Sequence, residues 1–255
     1  MSAADATELF DEMASFASYA FNKSHAACYA VISYETAYLK RHKTMEYMAS
    51  LLDSVIGAEG KTADYIAECA RYGIKVLPPD INESTADYTV SDDGIRFGLL
   101  VLKGLGRGFI DSIVAEREQG GRFRSFYDFA RRMSITPDGG LNRRQAEALI
   151  KGGAFDSCGE PRSRLIASYE RILDYLHDQK RTDIIGQLDI FSAMSEQSGE
   201  TIEPEFVYPN LQEFTRAQLL AMEKQVSGMY FSGHILDDYT DELALLHPVP
   251  IVDVT

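Results

Sequence analysis

Gly104-Leu105-Gly106, with Lys103 before it and Arg107-Gly108 after it, is the run in this 255-residue chain with the most specific chemistry. Glycine lets a main chain approach an anion closely, because no Cβ intervenes. A tight Gly-x-Gly bend that opens a helix aims several backbone N–H groups at one point, backed by the positive end of the helix dipole. Lys103 and Arg107 flank the bend and add charge-assisted contacts to neighbouring phosphates. Such a device holds a nucleic-acid backbone without reading its bases. Apolar runs at 99–103 and 110–114 read as helices on either side, so the whole is a helix-hairpin-helix pattern. Ile110 stands where such hairpins often carry Ala. The alternative is a Gly-capped helix followed by an ordinary turn.

The formal net charge of −14 argues against a nucleic-acid partner at first sight. Its distribution reverses that. Residues 95–165 hold thirteen of the 25 Lys and Arg but eight of the 39 Asp and Glu, a local balance of +5. The rest of the chain holds 12 basic and 31 acidic residues, a balance of −19. The bend therefore lies inside the one basic island, and most of that island is arginine, whose planar guanidinium suits phosphate.

The island contains a second candidate hairpin. Residues 141–151, from Leu141 to Lys151, are amphipathic and include Arg143 and Arg144; Gly152-Gly153 breaks them, and Pro161 reopens a long helix at a favoured first position. Lys151, Arg162 and Arg164 are expected to stand there as Lys103 and Arg107 stand at the first bend. Tandem hairpins of this kind grip both strands of a duplex across a groove.

The elements that must position these residues are mainly helical. Helices are expected over 5–20, 24–42 (with Ser24 as N-cap), 44–56, 61–72, 107–118, 125–133, 142–151, 162–180 and 214–226. Residues 74–77 are extended before Pro78-Pro79, 86–90 and 95–99 form a small β-hairpin, and 229–231 are extended. The stretch 182–213 is polar and interrupted by Gly, Ser and Pro, so it reads as a flexible connector. Four regions result: 1–94, 95–181, 182–213 and 214–255. The last run, 248–255, ends amid apolar residues as if a further domain followed.

Cys28, Cys69 and Cys158 are odd in number and widely spaced, and the five histidines are scattered, so no disulfide framework or metal constellation emerges. The thiols read as buried groups of a reducing cytoplasm. No run approaches the length of a membrane span and no signal peptide opens the chain, so a cytoplasmic location without membrane contact is expected.

Phe21-Asn22-Lys23-Ser24-His25-Ala26-Ala27, continued by Tyr29-Ala30-Val31-Ile32-Ser33-Tyr34-Glu35, resembles the end of the fingers of bacterial DNA polymerase III alpha subunits. Gly73-Ile74-Lys75-Val76-Leu77-Pro78-Pro79-Asp80-Ile81-Asn82, Ile95-Arg96-Phe97-Gly98, Ala148-Leu149-Ile150-Lys151-Gly152-Gly153-Ala154-Phe155-Asp156 and Ser227-Gly228-Met229-Tyr230-Phe231-Ser232-Gly233-His234 extend the likeness in order, over about residues 8 to 240. Ala20 replaces a usual glycine, and Lys43-Thr44 a usual Tyr-Pro. The resemblance implies distal fingers, tandem duplex-binding hairpins and a connector towards an OB domain. It places the paired aspartates that hold Mg2+ for nucleotidyl transfer in an upstream palm. No Asp-x-Asp on a plausible strand replaces them here, since Asp92-Asp93 and Asp237-Asp238 read as turn residues. No cofactor is expected in this segment, and the segment alone should not polymerise.

Within the fingers segment, Asn22, Lys23, Ser24 and His25 open a helix, where exposed N–H groups favour an anion. The resemblance brings this region near incoming nucleotide and primer terminus, so Lys23 and His25 would neutralise triphosphate or template backbone. In the connector, Gln187-Leu188-Asp189-Ile190-Phe191 resembles the short peptide by which bacterial polymerases bind their sliding clamp. Leu188, Ile190 and Phe191 would fill apolar pockets while the Gln187 amide sets register. A micromolar-class affinity, about 8 kcal/mol, suffices once DNA raises the effective concentration. The expected partners are thus primer-template duplex, the sliding clamp and other replicase subunits. Two other classes fit the hairpins: a non-catalytic tandem helix-hairpin-helix DNA-repair module, and a scaffold in which they bind protein.

Overall fold

The computed structural model describes residues 2–20, 23–135, 140–184 and 207–246. The chain is mainly α with one small sheet, as the sequence predicts. It divides into two compact units, Met1–Met48 and Ala49–Thr255.

The first unit holds α1 (Ala3–Ala20), α2 (Lys23–His42) and the start of α3 (Thr44–Ser54). Ser2 and Asp5 cap α1 reciprocally: the Asp5 N–H donates to Ser2 Oγ at 3.1 Å and the Ser2 N–H to Asp5 Oδ2 at 3.0 Å. α2 begins at Lys23, so Ser24 lies in its first turn and not at the expected cap position. No side chain of α2 is buried, and Leu9, Phe10 and Met13 of α1 are exposed. The apolar surface of α2 is organised along the helix instead. Tyr34 meets Tyr38 at 6.5 Å and Tyr38 meets His42 at 4.3 Å, each pair four residues apart.

In the second unit, α4 (Glu59–Arg71) ends at Gly73, whose φ of +71° turns the chain towards β1 (Val76–Leu77). β2 (Thr89–Ser91) and β3 (Gly94–Arg96) form the expected hairpin, with Val90 opposite Ile95. β1 adds to the other edge of β3 in parallel, Val76 opposite Ile95, giving the order β1-β3-β2. The strands are shorter than 86–90 and 95–99. Gly98 lies so close to the main chain of Ala86 and Asp87 that any Cβ there would overlap it, and Asp53 Oδ1 takes the Tyr88 N–H at 2.7 Å. The three-stranded sheet also crosses the expected boundary at 94/95, since β1 belongs with β3.

The helix expected over 99–103 is a single 3-10 turn, Leu99–Val101. Only a few residues separate β3 from the bend at Gly104, and Leu102 is already extended with ψ 120°. Beyond the bend come α5 (Arg107–Gly120), α6 (Phe126–Ile135), α7 (Arg143–Lys151), α8 (Arg162–Ile184), α9 (Arg216–Ser227) and α10 (Thr240–Leu246). Asn142 and Gln145 form a capping box on α7, as Thr215 and Gln218 do on α9. Residues 229–231 are not a strand. After Gly228 (φ +85°) the Phe231 and Ser232 N–H groups donate to the carboxylate of Glu223 instead of to a ladder.

The core of this unit is aromatic. Phe123, Phe126, Phe129 and Phe155 are all but fully buried, and three of their contacts are edge-to-face at 5.1–5.2 Å. Each such ring contributes about 1.5–3 kcal/mol by leaving water. A second cluster joins the sheet to the segment after α9, with Phe97 against Tyr88 at 5.0 Å and Phe231 at 4.7 Å. Cys69 is buried, whereas Cys28 is exposed and Cys158 half-buried, so burial does not hold for all three thiols. No described helix is long and apolar enough to cross a membrane.

Candidate nucleic-acid interface

At the first bend, Leu102 and Leu105 point into the core while Lys103, Gly104, Gly106, Arg107 and Gly108 are exposed. Leu105 anchors the loop, and Gly104 takes φ +90°, a conformation glycine adopts without strain. Around Gly104, Gly106 and Gly108 there is open space: a Cβ at any of them would meet no atom within 4 Å. Gly106 is the N-cap of α5 and supplies no side-chain acceptor, so the first-turn amides of a 14-residue helix open onto that space without a side-chain cap.

Both flanking cations already have acidic partners. Lys103 Nζ lies 3.5 Å from Glu59 Oε1, with both side chains exposed. Arg107 grips Asp87 with two hydrogen bonds, Nη1 to Oδ2 at 2.8 Å and Nη2 to Oδ1 at 2.6 Å. The pairing raises the pKa of Arg107 and holds the Asp87 carboxyl below the usual carboxylate range. Behind them Asp53 is pushed up, first by burial and then by the charge of Asp87.

The second bend is built differently. Gly152, Gly153 and Ala154 are buried. A Cβ on Gly152 would come within 2.6 Å of Leu102 Cδ2, and one on Gly153 (φ +79°) would overlap the Arg162 guanidinium. Arg162 is itself 3% exposed. Its Nη2 donates to Asp156 Oδ2 at 2.6 Å, and its Nη1 to Glu223 Oε1 at 3.1 Å and to the Lys151 carbonyl at 3.2 Å. Burial works against its charge, and the carboxylates of Asp156 and Glu223 outweigh that and raise its pKa. The start of α8 is filled as well: Glu213 takes the Arg162 N–H at 2.7 Å and the Ser163 N–H at 3.0 Å. Arg164 holds the Leu211 carbonyl at 3.1 Å, and Lys151 pairs with Glu147 at 2.6 Å. Lys151, Arg162 and Arg164 therefore do not stand as Lys103 and Arg107 do; they fasten residues 210–225 to the hairpins.

The remaining arginines divide in the same way. Arg117 donates to the Ile81 and Ser84 carbonyls, both at 3.0 Å, and burial lowers its pKa. Arg132 holds Glu116 at 2.9 Å and lies over the Phe123 ring at 4.3 Å. Arg143 and Arg144 are exposed at the start of α7. Arg143 pairs with Asp174 at 2.7 Å, and Arg144 has no side-chain partner among the described residues.

Lys23, Ser24 and His25 are exposed in the first turn of α2, with His25 4.5 Å from Tyr29. Asn22 and the whole run Gln187, Leu188, Asp189, Ile190 and Phe191 lie outside the described residues. Among the described residues no three His, Cys, Asp or Glu side chains are grouped to hold a metal ion. Sequence reasoning missed Glu213 and Glu223. One signal for Glu223 was present: it interrupts the apolar stripe of α9 between Leu220 and Val226, where a charge needs a buried partner.

A 3-10 turn, a glycine bend, an uncapped helix and a second hairpin packed beneath define a helix-hairpin-helix domain, and the helix-hairpin-helix motif family matches residues 73–165. Over most of its length the chain is also similar to DNA polymerase III subunit alpha from several bacteria. It is 39% identical to that of Borreliella burgdorferi over 92% of this chain and 20% of the relative. It is 42% identical to that of Saccharopolyspora erythraea over 87% of this chain and 18% of the relative, and 37% identical to that of Escherichia coli K12 over 93% and 20%. The chain thus matches a segment of DNA polymerase III alpha subunits and spans about one-fifth of the length of the curated relatives it matches.

Proposed function

We propose that this segment holds duplex DNA by its backbone within a replicative DNA polymerase and tethers that enzyme to its sliding clamp. The observation that carries the duplex reading is the open bend at Gly104–Gly106 with the uncapped start of α5 behind it. A phosphate seated there takes main-chain amides directly, while Lys103 and Arg107 exchange Glu59 and Asp87 for neighbouring phosphates. Arg143 and Arg144 extend the cationic face along α7. Gly152-Gly153, Arg162 and Arg164 support that face from within.

Titration of the chain with mixed-sequence duplex between about 50 and 200 mM salt tests this. Binding weakens steeply, with a slope of about 0.9 per neutralised phosphate, and varies no more than a few-fold between sequences. Salt-independent binding, or strong preference for one site, overturns the reading. Lys103→Ala with Arg107→Ala weakens binding to all sequences alike.

Lys23 and His25 add positive or hydrogen-bonding groups near nucleotide or template, and Gln187-Leu188-Asp189-Ile190-Phe191 supplies the clamp peptide from the connector. Gln187→Ala with Phe191→Ala abolishes capture by an immobilised clamp and leaves duplex affinity intact; retained capture refutes the tether. Nucleotidyl transfer belongs to a Mg2+-binding palm outside this segment, so the chain alone incorporates no nucleotide in a primer-extension assay.

A further inference from the structure

α9 reaches both bends within one turn. Glu223 is fully buried on it. Its Oε1 accepts from Arg162 Nη1 at 3.1 Å, and its Oε2 accepts the Phe231 N–H at 2.7 Å and the Ser232 N–H at 3.1 Å. Three residues later the Val226 carbonyl accepts the Lys103 N–H at 2.7 Å, immediately before Gly104. Between them Gln225 Oε1 accepts Lys151 Nζ at 3.1 Å. Among the described residues, the Lys103–Val226 bond is the long-range main-chain hydrogen bond of the first bend.

We infer that Glu223 is a positioning residue for backbone binding: by locking α9 to Arg162 it fixes the main chain of Lys103, and so the aim of the amides at the open bend. The inference rests on the duplex reading above and deepens it. A buried carboxylate facing a buried guanidinium is stable only while both are satisfied. Loss of the Glu223 charge leaves Arg162 under-paired and the Phe231 and Ser232 amides with a weaker acceptor. α9 then loosens, and Lys103 loses the Val226 carbonyl. An anion site made of main-chain amides depends on preorganisation, so it weakens although no residue facing the phosphate has changed. Arg162 acts here through Glu223 and not by touching phosphate.

The full chain carries the test, with Glu223→Gln and the paired apolar replacement Arg162→Met with Glu223→Leu. Thermal unfolding, duplex affinity against salt, and hydrogen exchange at the Lys103 amide are read together. Glu223→Gln is expected to bind duplex about tenfold more weakly, with the salt slope smaller by about one contact and the Lys103 amide deprotected. A merely structural role would lower the unfolding temperature and leave both affinity and slope of the folded protein unchanged. The double variant, which docks α9 by apolar packing, is expected to regain Lys103 protection and bind within about threefold of the parent. Unchanged binding by Glu223→Gln overturns the inference. So does a folded, docked double variant that stays weak, because Arg162 would then contact phosphate itself. If Glu223→Gln does not fold, the double variant decides alone by the same criteria. Absence of salt-dependent binding by the parent chain sinks the duplex reading instead.

Discussion

Two glycine bends flanked by cations lie within fifty residues of each other, and the structure treats them in opposite ways. Around the first, the glycines are exposed, no Cβ would meet a neighbour, and the following helix starts without a side-chain cap. Around the second, the glycines are buried, a guanidinium fills the space over Gly153, and Glu213 occupies the helix start. In both, glycine permits a close approach. At the first bend that approach is open to a ligand; at the second it is taken by the protein itself, through Leu102 and Arg162. Basic residues near a glycine turn thus do not distinguish a ligand site from a packing site. Burial does: Glu223 holds Arg162 inside, whereas Glu59 and Asp87 meet Lys103 and Arg107 at the surface.

The largest expected break in this contrast is steric. Gly153→Ala combines an unfavourable backbone with overlap on Arg162 and should cost about 2–5 kcal/mol, read by chemical denaturation. Gly104→Ala meets empty space and should cost only the backbone strain, about 1–2 kcal/mol. On binding, Lys103→Ala and Arg107→Ala should each lose about tenfold in duplex affinity and one unit of salt slope, whereas Arg164→Ala stays within about twofold. Asp87→Asn releases Arg107 and removes a negative charge from the face, so affinity should rise about two- to fivefold at low salt. The smallest effect is the most specific. Gly106→Ala, at φ −95° and in open space, should leave stability within about 0.5 kcal/mol and weaken duplex binding a few-fold, because its new methyl meets nothing except a bound phosphate. Equal losses at Gly104 and Gly153 in the denaturation series would dissolve the contrast.

What sequence disclosed was local. The glycine bend, the start of α5, the helix spans and the hairpin turn at 91–94 all depend on residues within a few positions of each other. Apart from the displaced cap at Ser24, the misreadings below share a cause, that the decisive partner is distant. Residues 99–103 look helical by composition, but the strand before them, the bend after them and the Val226 carbonyl leave room for one turn. Residues 74–77 read as extended, while nothing local reveals their parallel pairing with β3. The arginine island counts Arg117, Arg132 and Arg162 as surface charge, although Ile81, Ser84, Glu116 and Glu223 hold them inside. The apolar residues of α1 and α2 predict helices correctly and give no sign that α2 buries none of its side chains.

On the proposed backbone-binding reading, the Arg107–Asp87 pair couples ligand occupancy to protons. Asp87 keeps its proton affinity low only while the guanidinium is beside it. An anion that captures Arg107 returns Asp87 towards the ordinary carboxylate range. Occupancy and protonation at Asp87 therefore favour one another. Acidification through the carboxylate range should tighten the complex of the parent chain more than that of Asp87→Asn, and the two pH profiles should run parallel above it, where the carboxyl is ionised in both states.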